Sequence, residues 1–156
     1  MILSAALEID LPDPAATARL GAALAAVARA GEALLLSGEL GAGKSVLARG
    51  FVQALAGEDE EVPSPTFTLV QFYEAEPAVA HFDLYRLTHE GEALEIGLEE
   101  ALDQGVAVIE WPERVSAQGW ARLAPDRLAI ELTHQGAARR ARLVPHGAWK
   151  GRSLEY

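Results

Sequence analysis

The chain has 156 residues, half of them hydrophobic, which is enough for one domain with its own core. It carries 13 basic and 23 acidic residues for a net charge of −10, a poor balance for gripping a nucleic-acid backbone, where affinity comes from Lys and Arg on phosphates. It has no cysteine, which excludes disulfides and thiolate metal sites, and no apolar run near the ~20 residues of a membrane span.

The N-terminus shows no basic segment followed by an apolar run, so no signal peptide is expected. Together with the lack of cysteine this suits a cytoplasmic protein. Ala5 to Ile9 reads as a first strand. Leu11-Pro12-Asp13-Pro14 breaks it and starts a helix, with proline in the first turn. That helix is expected from about Ala15 to Arg29, ending at Gly31, with Leu20, Leu24 and Val27 on its buried stripe. The apolar run Ala33-Leu34-Leu35-Leu36 then reads as a buried strand.

Next comes Gly38-Glu39-Leu40-Gly41-Ala42-Gly43-Lys44-Ser45, which is G-x-x-x-x-G-K-S, the phosphate-binding loop called Walker A. Val46, Leu47, Phe51, Val52 and Leu55 follow at helical spacing, so the loop lies between a strand and a helix, as its chemistry requires. Glycines at 38, 41 and 43 let the backbone turn tightly and approach phosphate oxygens. Successive N–H groups, including those of Ala42 and Val46, form an anion nest at the positive end of the helix. Lys44 is expected to reach the β- and γ-phosphates, and the Ser45 hydroxyl to ligate Mg²⁺. The predicted ligands are therefore a nucleotide and magnesium.

Gly57 to Glu61 reads as an acidic surface loop, and Val62-Pro63-Ser64-Pro65 as extended chain. Thr66 to Tyr73 alternates and is rich in β-formers, so it reads as a strand. Val79 to Leu84 reads as its antiparallel partner after a turn at Glu76-Pro77. Glu90 to Leu102 is helical with an interruption at Gly97. Gly105 to Glu110 is another buried strand, ended by Trp111-Pro112. Arg127 to Leu132 and Arg139 to Val144 form a closing pair across a turn near Gln135-Gly136. The tail over 145–156 is weakly patterned and expected to be mobile. The fold class is α/β: one P-loop NTPase-like domain over 1–156, with a mixed central β-sheet flanked by helices.

A Walker A loop needs an acid at a strand end to hold the metal directly or through water. Asp83 and Glu110 both end β-rich runs, where α/β proteins place ligand chemistry. Either is a candidate for direct ligation. Thr66, after two prolines, is placed like a switch-loop threonine that senses the γ-phosphate. The four histidines do not form a metal cluster by spacing.

Four segments occur in one order: the Walker A octapeptide, Ser64-Pro65-Thr66-Phe67-Thr68-Leu69, His81-Phe82-Asp83-Leu84-Tyr85-Arg86-Leu87, and Glu110-Trp111-Pro112. This set closely resembles the TsaE (YjeE) family of small bacterial P-loop ATPases, over about Leu11 to Val144. The resemblance implies an ATPase required for threonylcarbamoyladenosine beside the anticodon of certain tRNAs. It would act with a TsaB–TsaD complex and meet tRNA only through those partners. By the same resemblance Ser45 and Glu110 look like the Mg²⁺ pair, Asp83 like the Walker B-type acid, and Thr66 like a switch residue. Trp111 is implied in packing or partner contact. The resemblance also brings one of Arg139, Arg140 and Arg142 near the nucleotide, and the stretch Asp13 to Thr17 near the adenine. Two other readings use the same loop: a small-molecule kinase, and a nucleotide-dependent binding module with negligible hydrolysis. A kinase usually carries an arginine-bearing lid, and no long insertion of that kind is present.

Overall fold

The computed structural model describes residues 1–65 and 68–156. The strands are β1 (Leu7–Leu11), β2 (Ala33–Gly38), β3 (Val70–Tyr73), β4 (Ala78–Asp83), β5 (Gly105–Glu110), β6 (Arg127–Gln135) and β7 (Ala138–Pro145). The helices are α1 (Pro14–Ala25), α2 (Lys44–Ala56), α3 (Glu92–Glu95), α4 (Leu98–Gln104) and α5 (Ala117–Leu123). All seven strands join one sheet in the order β1-β7-β6-β2-β5-β4-β3. Strands β6, β2, β5 and β4 run parallel at its centre. Antiparallel pairs finish it on both sides: β3 on β4, and β7 on β6 with β1 outside. The sheet is mixed, as expected. The apolar runs of β2 and β5 suit central parallel strands, which are covered on both faces.

Side-chain alternation divides the core in two. Leu34, Leu36, Val79, Val106, Val108, Leu128 and Ile130 point to the face covered by α1 and α2, where they meet Leu20, Leu24, Leu47 and Phe51. Leu35, Ala80, Phe82, Ala107 and Ile109 point the other way, toward Leu98, Leu102 and Trp120 of α4 and α5. The same period of two puts His81, Asp83 and Glu110 on the α1/α2 face. Parallel pairing also puts the C-terminal ends of β2, β4 and β5 on one edge.

Helix α1 starts on Asp13, whose carboxylate accepts the Ala16 N–H at 2.8 Å, with Pro14 at the first helical position. It stops at Ala25, earlier than its spacing predicts. The Glu32 carboxylate accepts the Arg29 N–H at 2.8 Å, which draws that segment into a turn. Strand β3 begins at Val70, later than expected. Leu69 has a φ of 69° and its N–H bonds to Pro65 O at 2.7 Å, so the chain turns there. Helix α5 is not legible as a separate element in the sequence. Ser116 caps it by accepting the Gly119 N–H at 3.0 Å, and Trp120 anchors it in the core.

The expectation of a mobile tail after Pro145 is corrected. Trp149 and Leu154 are fully buried. Arg152 forms a two-pronged ion pair with Glu32, both contacts at 2.6 Å, and its guanidinium lies 4.3 Å from the centre of the Trp149 ring. Both charged side chains are nearly buried, so removing either partner would strand a charge in the interior at about 3–5 kcal/mol. The Met1 amino group donates to Leu154 O at 2.8 Å, and Tyr156 donates to Ala16 O at 3.0 Å. Isolated anchors of this kind have no periodicity for a sequence pattern to reveal.

Helices α1 and α2 cross closely. A Cβ at Gly21 would lie 2.3 Å from Leu47 O, and one at Gly50 would lie 2.3 Å from Ala18 O. Backbone fills the space that a side chain would need, and it moves only with the whole helix. Gly50→Ala should therefore destabilise the fold by about 1–3 kcal/mol or more, despite alanine's better helix propensity. Denaturant unfolding measures this, and an alanine variant as stable as the parent would refute the close crossing.

Candidate functional site

Strand β2 ends at Gly38 and α2 begins at Lys44, so the Walker A octapeptide is the connection between them. Gly38, Gly41 and Gly43 have φ values of 143°, 78° and 106°, in the region that side chains disfavour. At Gly38 space forbids one as well, since a Cβ would lie 2.5 Å from Leu132 O. Ala42 is fully buried, and its N–H closes the turn on Glu39 O at 3.0 Å. No side chain caps α2, which leaves its first N–H groups and its positive end facing the loop's concavity.

Lys44 lies inside this turn. Its Nζ donates to Gly38 O and, at 3.2 Å, to Glu39 O, and it sits 4.3 Å from the centre of the Trp111 ring. Burial pushes its pKa below the ordinary lysine value, and the carboxylates of Glu110, Glu113 and Asp83 oppose that shift. Ser45, one residue on, donates to Glu110 Oε1 at 3.3 Å.

Glu110 and Asp83 face each other across the β4–β5 ladder at the last residue of each strand. They are 3% and 4% exposed, an unusual depth for two acids. Asp83 Oδ1 accepts the Tyr85 N–H at 3.0 Å. The other oxygen of Glu110 lies 2.6 Å from His81 Nε2. Immediately after Glu110, Trp111 adopts a φ of 59° and carries the chain away from the sheet. Its ring packs 4.9 Å from that of Tyr85, leans half-buried against the α4/α5 core and forms a wall of the site.

These groups enclose a cleft of about 460 Å³, lined by Leu40, Gly41, Gly43, Lys44, Ser45, Val46, Ser64, Asp83, Tyr85, Glu110 and Trp111. A smaller crevice of about 100 Å³ lies across the loop, sharing Gly41, Gly43 and Val46 and adding Asp13, Thr17, Ala137 and Arg139. The Asp13 to Thr17 stretch and Arg139 therefore meet at the phosphate loop. Arg139 Nη2 donates to Gly41 O at 3.2 Å. Arg140 lies on the other face of β7 and pairs with Asp10 at 2.9 Å. Arg142 shares the face of Arg140, so strand alternation singles out Arg139 among the three.

The structure thus brings together Lys44, Ser45, Val46, Asp83 and Glu110 around the glycine loop, with Arg139 beside it. Thr66, the expected switch residue, lies outside the described residues. Tyr85 and Ser64 line the cleft without having been singled out in the sequence, although both fall in quoted motifs. The contact of His81 with Glu110 was likewise unforeseen. Its signal was present: His81 sits two residues before Asp83 in a strand, hence on the same face.

The family model for "Threonylcarbamoyl adenosine biosynthesis protein TsaE" matches residues 11–142. A tRNA threonylcarbamoyladenosine biosynthesis protein TsaE from Rickettsia conorii is 41% identical over 98 residues, covering 62% of this chain and 56% of that protein. The chain thus spans a little over half the length of that curated relative. The TsaE protein of Bacillus subtilis is 36% identical over 126 residues, covering 80% of this chain and 75% of that protein. The crystal structure of Bacillus subtilis YdiB superposes with a TM-score of 0.74 at 28% identity, covering 94% of this chain and 88% of that one. With the family's model spanning most of its length and a fold shared with YdiB, the chain belongs to the TsaE family.

Proposed function

We propose that this protein is a magnesium-dependent ATPase serving the formation of threonylcarbamoyladenosine beside the anticodon of tRNA. It would work in the cytoplasm with a TsaB–TsaD type complex and meet tRNA only through those partners, in keeping with its acidic balance. Family membership supports the pathway. The observation that carries the ATPase reading is the convergence of the Ser45 hydroxyl and two buried carboxylates, Asp83 and Glu110, beside the lysine of a glycine-rich loop.

The donor set fits magnesium. One hydroxyl and two carboxylates are too few for a dedicated protein cage, and among the described residues no group of three His, Cys, Asp or Glu forms one. A phosphate-bound Mg²⁺ needs only that number, since phosphates and waters complete its octahedron. When bound, the ion offsets charge on the β- and γ-phosphates. Ser45 and Glu110 or Asp83 would hold it.

The chain's own groups supply the rest. The glycine loop offers N–H donors to the phosphates. Lys44 exchanges the loop carbonyls of Gly38 and Glu39 for phosphate oxygens and remains a fixed positive charge there. Arg139 and the Asp13 to Thr17 stretch border the crevice that an adenosine would enter. Trp111 and Tyr85 wall the cleft and restrict water around the transferring phosphate.

Lys44→Ala should weaken ATP binding about ten- to a hundredfold, the size of a lost charge-assisted hydrogen bond. Phosphate release should fall with it, measured with the TsaB–TsaD complex present. Unchanged affinity and turnover would reject the phosphate-loop assignment. If adding a small-molecule acceptor produced ADP without free phosphate, the kinase reading would replace this one.

Glu110→Gln keeps size and shape but removes the charge. Turnover should drop about 10–100-fold while thermal stability and ATP affinity at saturating magnesium change little, since the phosphate loop is intact. Asp83→Asn, measured alongside, divides the labour between the two acids. If only Asp83→Asn is inactive and Glu110→Gln hydrolyses like the parent, Asp83 holds the metal alone.

A further inference from the structure

His81 is the one polar side chain in the buried middle of β4, flanked by Ala80 and Phe82 and paired in register with Val108. It is 1% exposed, and its neighbours on the same face are Val79, Val106 and Val108. An apolar residue would satisfy packing there at no cost in buried polarity. The imidazole instead directs Nε2 at Glu110 Oε2, 2.6 Å away. Its Nδ1 is buried and meets no hydrogen-bond partner among the described residues. The whole polar capacity of the ring is therefore spent on Glu110.

The carboxylate fixes which ring nitrogen bears the hydrogen. Its oxygens accept, so the nitrogen 2.6 Å from Oε2 is the donor, while Nδ1 meets no acceptor among the described residues. The hydrogen thus belongs on Nε2, where it is donated to the carboxylate. This leaves the two oxygens of Glu110 with different tasks. Oε2 is held by His81 from inside the sheet, and Oε1 is turned toward Ser45 at the cleft, 3.3 Å from its hydroxyl. Without His81, the carboxylate would be free to rotate about its terminal torsion, which has broad minima.

We infer that His81 is a positioning residue: its Nε2–H clamps Glu110 so that the opposite carboxylate oxygen faces Ser45 and the magnesium-nucleotide site. This rests on the ATPase reading above, and it adds a residue that acts through Glu110 without touching nucleotide. Metal sites commonly depend on such outer partners, whose loss lowers metal affinity or activity about 10–100-fold.

The test compares parent, His81→Leu, His81→Gln and His81→Asn. Leucine removes the donor at similar volume. Glutamine places an amide N–H at about the reach of Nε2. Asparagine is polar but too short to reach Glu110. For each, the affinity of a fluorescent, non-hydrolysable ATP analogue is measured in excess EDTA and over a magnesium titration, with thermal melting in parallel. His81→Leu and His81→Asn should bind the analogue in EDTA within about twofold of the parent, yet need about tenfold more magnesium for half-saturation. His81→Gln should recover most of that difference. Thermal stability should not follow this order, because leucine suits the apolar strand better than either amide.

A parent-like magnesium dependence in any folded variant lacking the donor overturns the inference. So does a loss in EDTA that tracks the melting temperature across the series, since that is a structural role. Should His81→Leu not fold, His81→Asn against His81→Gln makes the same comparison. The parent is the control for the wider reading. If magnesium has no effect on its analogue binding, the metal site itself fails and this inference fails with it. If the parent responds and His81→Leu responds equally, only the role of His81 is lost.

Discussion

The site depends first on one register. Strands β4 and β5 are parallel and pair residue for residue, so Asp83 and Glu110 end side by side on one edge of the sheet. A slip of one residue would turn one acid to the opposite face, toward the α4/α5 core. The register is held by apolar residues on both sides of the same strands. Val79, Val106 and Val108 pack under α2, and Phe82 and Ile109 pack toward α4 and α5. Two carboxylates can be buried together there because each has partners: Tyr85 N–H for Asp83, and Ser45 and His81 for Glu110.

The phosphate loop is positioned by a second constraint, the crossing of α1 over α2. Gly21 and Gly50 let the two helices touch through their backbones. The N-terminus of α1, with Asp13 and Thr17, is thereby brought to Gly41 and Gly43. The chain end reinforces the same helix. Tyr156 binds Ala16 O, while Arg152 links the tail to Glu32 and to Val27 O just beyond α1. The last residues of the chain therefore brace the wall of the smaller crevice.

Much of this was legible in the sequence. Gly105 to Glu110 reads as a strand from its apolar Val106, Val108 and Ile109, and it is one, buried along its whole length at the centre of the sheet. The loop and its flanks were clear, since glycine spacing and helical periodicity coincide there. Three features were hidden, each for a physical reason. The tail docks through single anchors, Trp149, Arg152 and Leu154, which form no repeat. That Arg139, and not Arg140 or Arg142, lies beside the loop depends on which face of β7 meets it, and that follows from pairing across β1 and β6. The bond between His81 and Glu110 spans 29 positions and arises only when β4 and β5 pair. Its strand period could be read, but its partner could not.

On the proposed function, the loop from Gly38 to Ser45 is a nest for the outer phosphates of a nucleotide. Calorimetric titration of the protein with ADP and with AMP, in magnesium, tests it most directly. The two ligands share base, sugar and α-phosphate, and differ in the phosphate that the proposed function assigns to the loop N–H groups and Lys44. One ADP should bind per chain, about a hundredfold or more tighter than AMP, the worth of a few charge-assisted hydrogen bonds. ADP and AMP binding with equal affinity, or neither binding, would contradict it.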